Sequence, residues 1–341
     1  MKNPSSLWLK TFCAGFAVIS ALLVWTLFTP APYGDLTRIG RLSETQFGWT
    51  QPPPAPKDAA LLHSVPLDQA DVLVVGDSFS MTLYWQTALV QAGYKVATTY
   101  WGEIGYLCGN FDEWLRGQGY RGRLVIVESI ERAFDERLQR SEACPAIAEG
   151  RKLKIRPDPF LGPLTQKPSS ALNWSAKLTT GAITWLNTRR AMRETGATQH
   201  GDETLVRPLP DGCQQFSHAL CHKLPLFKED VDHGPLTAET FARMQRLTAA
   251  NPGVQMLWMV IPNKTTVYLD PEHSKDFVQG LRAHPELGPD LFDMAARARL
   301  EVKDFYFPND THMSMHGQLA MGAVMLQEVR KRLPTTSAPG S

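Results

Sequence analysis

The stretch VLVVGDSFS, from Val72 to Ser80, joins a run of apolar residues to a glycine, an acid and small hydroxyls. Four consecutive apolar residues, Val72–Val75, are typical of a strand that is buried on both faces of a parallel sheet. In open α/β sheets, ligands bind beyond the carboxyl ends of such strands. The stretch therefore predicts either an ordinary turn, for which Gly-Asp-Ser is well suited, or a serine nucleophile, Ser78, at the edge of a sheet.

Short apolar runs alternate with amphipathic stretches along the rest of the chain. Four further strands are predicted at residues 94–100, 123–129, 254–262 and 299–307. Helices are predicted at residues 82–92, 238–250 and 315–333. Strands that alternate with helices form parallel sheets covered on both faces, with right-handed crossovers. We therefore expect an α/β fold, a three-layer α/β/α sandwich around a parallel five-stranded sheet.

The N-terminal end of the chain differs in composition from the rest. Residues 11–28 carry no charged side chain, and Lys2 and Lys10 precede them. Roughly 20 apolar residues span a bilayer as a helix, and positive charge before such a helix places the N-terminus in the cytoplasm. We expect an uncleaved transmembrane anchor. A cleaved signal peptide is the alternative, although Pro30 and Pro32 are unfavourable near a cleavage site. Both interpretations export the rest of the chain.

Composition shifts divide the chain into four predicted parts. These are an N-terminus with its anchor (1–30), a Pro-rich periplasmic spacer (31–66), a globular domain (67–334) and a disordered tail (335–341). Within the globular domain, residues 134–237 separate the third and fourth predicted strands and are rich in proline and glycine. We expect them to form a long, mostly irregular insertion over the active edge of the sheet, with a helix near residues 175–193.

Four cysteines lie beyond the apolar run, at Cys108, Cys144, Cys213 and Cys221. An even number of cysteines in an exported domain indicates disulfides. Three pairings are possible. Cys213 with Cys221 closes the shortest loop and leaves Cys108 with Cys144, and we predict these two bridges. Two histidines near the second pair also suggest a metal cluster, but their spacing matches no familiar zinc pattern, so we expect no metal.

A second chemical motif follows the last predicted strand. FPNDTHMSMHG (Phe307–Gly317) contains Asp310 and His312. An imidazole at this sheet edge is placed to accept the proton of Ser78, while a carboxylate orients the ring. Each motif alone is compatible with a turn or a helix cap. Together they predict a catalytic triad in the chain order Ser78, Asp310, His312.

The segment after the second predicted strand, TYWGEIGYLCGN, supplies candidate oxyanion donors. We expect the backbone N–H of Gly102 or Gly105 to act with that of Ser78. The nearest competing residues are Ser80, Ser314 and His316. The two serines are expected to lie at a cap or in a first helical turn, and the histidine on a helix surface.

These motifs resemble the SGNH (GDSL) hydrolase superfamily, and more closely its exopolysaccharide branch, the alginate O-acetyltransferase-like proteins. VLVVGDSFS is similar to their nucleophile motif, and NDTHMSMHG to an Asp-x-His-Trp motif. VIVESIERAF (Val125–Phe134) resembles a strand that ends in Glu and Glu-Arg, and VIPNKTTVYLDP (Val260–Pro271) a Pro-x-Lys-x-x-x-Tyr segment. The resemblance covers residues 71–132 and 254–333.

The sequence departs from that pattern in three ways. Met313 stands where the branch has tryptophan. The Asp-His pair follows the serine, which is the order usual in the wider superfamily and not in the alginate proteins. ESIER replaces the Gly-x-Asn-Asp oxyanion motif of the superfamily, which leaves Asn263 and Asn110 as candidates for the missing amide donor.

The resemblance implies an O-acetyltransferase that acts on an extracytoplasmic polysaccharide through a seryl acyl-enzyme, without a cofactor. The alternatives are a carbohydrate esterase and a non-catalytic scaffold subunit of an export complex. Substrate-binding roles are implied for Arg132, Lys264, Tyr268 and Asn263, each of which also has a purely structural interpretation.

The implied partners are the polysaccharide, an acetyl donor and an integral membrane acyl exporter. The implied location is the inner membrane, with a single span and a periplasmic catalytic domain. A net charge of +1 gives no electrostatic basis for binding nucleic acid.

Overall fold

A computed structural model describes residues 3–55, 57–160 and 172–334. Within this part of the chain there are two compact units. The first comprises residues 3–51, 172–231 and 307–311, and the second residues 52–160, 232–306 and 312–334. The predicted disordered tail, residues 335–341, and residues 161–171 of the predicted insertion lie outside the described residues.

The secondary structure is mixed. The helices are α1 (Pro4–Leu27), α2 (Asp35–Gly40), α3 (Glu44–Phe47), α4 (Thr87–Gln91), α5 (Trp101–Ile104), α6 (Phe111–Gly117), α7 (Glu131–Glu142), α8 (Thr180–Arg193), α9 (Gly212–Gln215), α10 (Lys228–Asp232), α11 (Ala238–Ala250), α12 (Lys264–Tyr268), α13 (Lys275–Ala283), α14 (Leu291–Glu301) and α15 (Met315–Arg332). Two 3₁₀ helices span Ala59–Leu62 and Leu67–Gln69. The strands are β1 (Val72–Gly76), β2 (Val96–Tyr100), β3 (Leu124–Ile130), β4 (Thr198–His200), β5 (Thr204–Pro208), β6 (Lys223–Phe227) and β7 (Gln255–Ile261).

The second unit contains a parallel four-stranded sheet in the order β2-β1-β3-β7. Its strands are the first four that the sequence predicts. All four apolar residues of β1, Val72–Val75, have no exposed surface, as continuous apolar strands of parallel sheets require. β1 lies between β2 and β3, so its carboxyl end, which leads into the Gly-Asp-Ser turn, is flanked by strands on both sides.

The predicted fifth strand at residues 299–307 does not form. Helix α14 continues to Glu301, and Asp304 takes a left-handed φ of 55°, which interrupts an extended run. Tyr306 makes only an isolated antiparallel bridge. Phe305 and Tyr306 are nevertheless completely buried. The apolar pattern in this stretch therefore reflects burial of aromatic side chains in a loop and not strand pairing.

The first unit contains structure that the sequence analysis missed. Strands β4, β5 and β6 form an antiparallel sheet, while the predicted helix near residues 175–193 is confirmed as α8. Residues 35–47, expected to belong to an extended spacer, form α2 and α3 instead. A small core is made by Leu42, Phe47, Ala191, Val206 and Leu220. The predicted irregular insertion therefore contributes, with the segment after α1, to a folded unit with its own core.

Helix α1 is apolar enough to cross a membrane, with a mean hydropathy of 1.9. Length and composition are equally those of an anchor or a signal. Its last turn is held inside the first unit. The Thr26 hydroxyl donates to the Leu178 carbonyl (2.8 Å) and accepts from the Gly181 N–H (3.1 Å). The Trp25 ring lies edge-on to that of Trp185, with centroids 6.0 Å apart.

Both predicted disulfides are confirmed. Cys108–Cys144 and Cys213–Cys221 each join Cα atoms 4.7 Å apart, within the usual range for a bridge. The first ties the segment after α5 to the end of α7, and the second closes a short loop around α9. Disulfides persist in oxidising compartments, so the two bridges indicate an extracytoplasmic location for the folded chain.

Removing the Cys108–Cys144 bridge should destabilise the protein more than removing the Cys213–Cys221 bridge, because the first closes a longer loop. Chain entropy predicts a loss of about 4 kcal/mol when a loop of about 36 residues is opened and about 2.5 kcal/mol for a loop of about 8. The variants are Cys108→Ser with Cys144→Ser, and Cys213→Ser with Cys221→Ser, each compared by urea unfolding. Cys13→Ser, which removes the free cysteine, is the control and should change nothing. Equal losses for the two pairs would contradict the loop-length explanation.

Candidate active site

The turn that carries Ser78 requires a glycine at its start. A Cβ at Gly76 would lie 2.5 Å from the Ser80 hydroxyl oxygen and 2.7 Å from a carboxylate oxygen of Glu128, so no larger residue fits without displacing them. Ser78 is half-buried, whereas Ser80 has no exposed surface. The turn therefore leaves the first serine partly accessible and buries the second.

Ser78 lies against the predicted base. Its Oγ is 2.9 Å from Nε2 of His312, which is in the loop before α15. The imidazole also contacts the Phe79 ring, with centroids 4.7 Å apart. The Oγ–Nε2 distance is that of a hydrogen bond between a nucleophile and its general base. Two of the three predicted catalytic residues are thus brought together from positions 234 residues apart.

Asp310, the third predicted catalytic residue, belongs to the first unit. It is buried, and its Oδ2 accepts a hydrogen bond from the N–H of Asp35, the first residue of α2 (2.9 Å). The Asp35 carboxylate in turn accepts from the N–H and the hydroxyl of Thr311 (2.8 and 2.6 Å). This reciprocal arrangement fixes Asp310 at the start of α2. Its catalytic role remains a prediction from its spacing to His312.

Two buried carboxylates lie beneath the serine turn. Glu128 in β3 accepts from the Asp77 N–H (2.8 Å) and the Ser80 hydroxyl (2.7 Å). The Asp77 carboxylate accepts from the Arg137 guanidinium (2.7 Å) and the Ile130 N–H (2.9 Å). This carboxylate network joins the ends of β1 and β3 to α7. Glu128 belongs to the VIVESIERAF stretch, but the sequence predicted no role for it or for Arg137. An acid inside an otherwise apolar strand was the available signal for Glu128.

The two carboxylates differ in protonation. Burial, and then the charge of Asp77, raises the pKa of Glu128 well above its usual range. Burial also acts to raise the pKa of Asp77, but the Arg137 guanidinium and the Ile130 N–H outweigh it and hold that pKa below its usual range. Glu128 is therefore the member that retains a proton. Its Oε1 has no hydrogen-bond partner among the described residues.

The two predicted oxyanion glycines differ in what their N–H groups do. Gly105 ends α5 with a φ of 82°, and its N–H donates to the Trp101 carbonyl (2.7 Å), so it is already engaged. Gly102 is exposed and lies in the first turn of α5, where N–H groups have no acceptor within the helix. Gly105 is therefore less suited to donate to an oxyanion, and the oxyanion role of Gly102 stays a prediction.

The predicted substrate-binding residues are largely inside the protein. Lys264 is completely buried, and Tyr268 is 5 % exposed with its hydroxyl accepting from the Tyr306 N–H (3.3 Å). Their burial does not support the expected contact with a polymeric substrate. Asn263 is also buried; its Oδ1 accepts from the Arg132 N–H (3.3 Å), while its Nδ2 has no partner among the described residues. The Asn263 side chain therefore still has a hydrogen-bond donor to offer. Arg132 differs from the other three predicted residues in being half-buried, with part of its surface exposed.

The remaining polar candidates have structural contacts. Ser314 caps α15 by accepting from the Gly317 N–H (3.2 Å), which confirms the predicted cap. Nε2 of His316 lies 2.9 Å from the Pro52 carbonyl oxygen. The side-chain oxygen of Asn110 accepts from a backbone N–H at residue 147 (2.8 Å), so that atom is committed to holding a loop.

No family model, curated protein or solved structure matches the chain. The observations that bear on function are therefore those of the site itself. They are the Ser78–His312 pair at the carboxyl end of β1 and the carboxylate network that holds the turn beneath it. A paired serine and imidazole are the chemical elements of nucleophilic acyl transfer.

Glu128→Gln should remove a pH dependence from the stability of the protein. Between the usual glutamate pKa of 4.5 and the raised folded-state value, the folded protein binds a proton that the unfolded chain releases. The free energy of unfolding of the wild type therefore falls as pH rises through this window, by up to about 1.4 kcal/mol per pH unit. Glutamine does not ionise and still offers an oxygen to Asp77 and Ser80, so this part of the slope should disappear.

Urea unfolding between pH 5 and pH 8 measures that slope. The variants are compared by this slope and not by the free energy of unfolding at one pH. The glutamine NH₂ group must enter a buried position, and this changes the free energy of unfolding at every pH. Glu301→Gln, at an exposed glutamate, is the matched control and should keep the wild-type slope. An unchanged slope in Glu128→Gln would show that Glu128 ionises normally in the folded protein.

Proposed function

We propose that the protein is a serine O-acetyltransferase that transfers acetyl groups to hydroxyls of an extracytoplasmic polysaccharide. The observation that carries this proposal is the 2.9 Å approach of Ser78 Oγ to His312 Nε2 at the carboxyl end of β1. The resemblance of the motifs to the exopolysaccharide branch of the SGNH hydrolases supports the substrate class. It also supports the finer fold, a three-layer α/β/α sandwich, which we propose for the unit around the parallel sheet.

The proposed reaction has two acyl-transfer steps. Ser78 Oγ attacks the carbonyl carbon of the donor acetyl ester while His312 Nε2 takes the hydroxyl proton. The tetrahedral intermediate then expels the donor alkoxide, which receives that proton from His312, and leaves acetyl-Ser78. In the second step His312 removes the proton of a sugar hydroxyl, whose oxygen attacks the acetyl-serine. Collapse of this intermediate releases the acetylated sugar and returns the proton to Ser78.

Three groups complete the proposed machinery. Asp310, two residues before His312 in the sequence, is proposed to orient the imidazole and stabilise its charged form. The N–H groups of Ser78 and Gly102 are proposed to hold the oxyanion; Ser78 N–H has no hydrogen-bond partner in the described parts of the chain. The unpaired Nδ2 of buried Asn263 is a further candidate donor.

We also propose that α1 is retained as an anchor in the inner membrane. The contacts of Thr26 with Leu178 and Gly181 support this, because cleavage after residue 26 would remove them. An anchor would keep the enzyme at the membrane surface, where it could meet an integral membrane acyl exporter. Such an exporter is the partner that the resemblance implies. Such an exporter would deliver the acetyl donor on the same side of the membrane as Ser78.

Ser78→Ala should abolish acetyl transfer while the protein stays folded. The change removes the nucleophile and little buried volume, so kcat should fall by about 10⁴-fold or more. The assay incubates the protein with an activated acetyl ester and an oligosaccharide, and follows the acetylated sugar and acetyl-enzyme by mass spectrometry. In wild type and in Ser80→Ala, the acetyl group should map to residue 78.

The same assay separates the competing functions. Acetyl groups released as acetate, with no acetylated sugar, would identify an esterase. Absence of an acetyl-enzyme, together with no labelling of Ser78 by a fluorophosphonate probe, would favour a non-catalytic scaffold. Acetylation at Ser80 with full activity of Ser78→Ala would show that the nucleophile is the second serine.

The topology can be tested separately from the chemistry. Alkaline phosphatase fused to the C-terminus of the full chain should be active, because basic residues precede α1 and place its N-terminal end in the cytoplasm. A green fluorescent protein fusion at the same position should be dark after export by the general secretion route. The reverse pair of results would place the folded units in the cytoplasm.

A further inference from the structure

Three side chains with metal-binding atoms meet in the second unit. Glu131 begins α7, His233 follows α10, and His273 lies between α12 and α13. Each offers one ligand atom, and these atoms lie within 4.8 Å of one another. The two imidazole rings are 5.3 Å apart, at an angle of 64°. Three segments that are distant in sequence thus direct one carboxylate and two imidazoles to a single point.

The two histidines carry buried nitrogen atoms that nothing in the described chain satisfies. Nε2 of His233 and Nε2 of His273 have no hydrogen-bond partner among the described residues. Buried polar atoms nearly always have a partner, and an exception needs an explanation such as an ion. Two such nitrogen atoms lie in one cluster beside a carboxylate, which is the arrangement expected around a bound cation.

Two of the three side chains, His273 and Glu131, have polar groups behind them. Asp270 Oδ2 lies 3.6 Å from Nδ1 of His273, so the carboxylate acts on the ring from the side opposite Nε2. Glu131 Oε2 accepts from the Asn263 N–H (2.7 Å) and the Thr266 hydroxyl (2.6 Å). Carboxylate–histidine pairs and hydrogen-bonded acids of this kind orient the ligands of many zinc sites.

We propose that Glu131, His233 and His273 bind a zinc ion at a site that shares no residue with the Ser78–His312 pair. Two nitrogens and one carboxylate oxygen match the ligands of zinc and not those of calcium or magnesium, which prefer oxygen alone. Zinc–ligand distances of about 2.0–2.2 Å in a tetrahedron bring ligand atoms to about 3.4 Å, so binding would draw the side chains together by about 1 Å. Water would take the fourth position, as in zinc sites with three protein ligands. The sequence predicts no metal, so this proposal departs from that prediction.

The ion would join the start of α7, His233 and the loop after α12. Glu131 already accepts hydrogen bonds from the Asn263 N–H and the Thr266 hydroxyl, and a shared ion would add a link from Glu131 to His233. The site shares no residue with the Ser78–His312 pair, and the proposed acetyl transfer does not require the ion. The two proposals therefore stand or fall on different measurements.

Metal binding to the untagged full chain in detergent tests the proposal directly. After chelation and buffer exchange, Co²⁺ serves as a spectroscopic probe, with Zn²⁺ as competitor and total metal measured by mass spectrometry. We expect one ion per chain, visible absorption typical of four-coordinate Co²⁺, and displacement by Zn²⁺. His233→Ala and His273→Gln should each weaken binding by at least about 100-fold, and Asp270→Asn by about 10–100-fold.

His284→Ala is the matched control, because His284 is an exposed histidine of the same unit, and it should bind the metal as the wild type does. Circular dichroism verifies that each variant is folded. His273→Gln keeps a polar side chain of similar size, so it serves if His233→Ala does not fold. The proposal is overturned if the wild type binds no metal, or if the His284 variant loses as much affinity as the ligand variants.

Discussion

The position of Ser78 depends on a pair of acids that share a buried site. Asp77 and Glu128 lie at the ends of neighbouring strands, where two negative charges would repel strongly in a low dielectric. Arg137 forms an ion pair with Asp77, and burial beside Asp77 raises the pKa of Glu128. The two acids accept hydrogen bonds from the turn itself, including the Ser80 hydroxyl. The turn that carries Ser78 is therefore held by groups beneath it.

The loop that carries His312 is held mainly by aromatic packing, whereas the turn that carries Ser78 is held by polar groups. His312 packs against the Phe79 ring, in a loop that also buries Phe305 and Tyr306. The Ser314 cap then starts α15 directly after this loop. Ser78 and His312 therefore lie on loops, and each loop is anchored to buried groups of the scaffold.

Local sequence patterns were sufficient to predict the four strands of the parallel sheet and several of the helices. Continuous apolar runs identified β1, β2, β3 and β7, and the periodicity of α11 matched its observed bounds, Ala238–Ala250. The same logic failed at residues 299–307, because aromatic residues that are buried in a loop produce the same pattern as a strand. It also missed the short strands of the first unit, which span only three to five residues each.

The sequence by itself determined the mixed α/β class, the apolar N-terminal helix, both disulfides and the pairing of Ser78 with His312, because each has a local signal or a simple pairing rule. Only the tertiary structure decided that Ser80 is buried, that Glu128 holds a proton beside Asp77, and which side chains surround Glu131. These properties arise from contacts between residues far apart in the chain. Burial and electrostatic coupling exist only after folding has brought such residues together, so no local pattern encodes them.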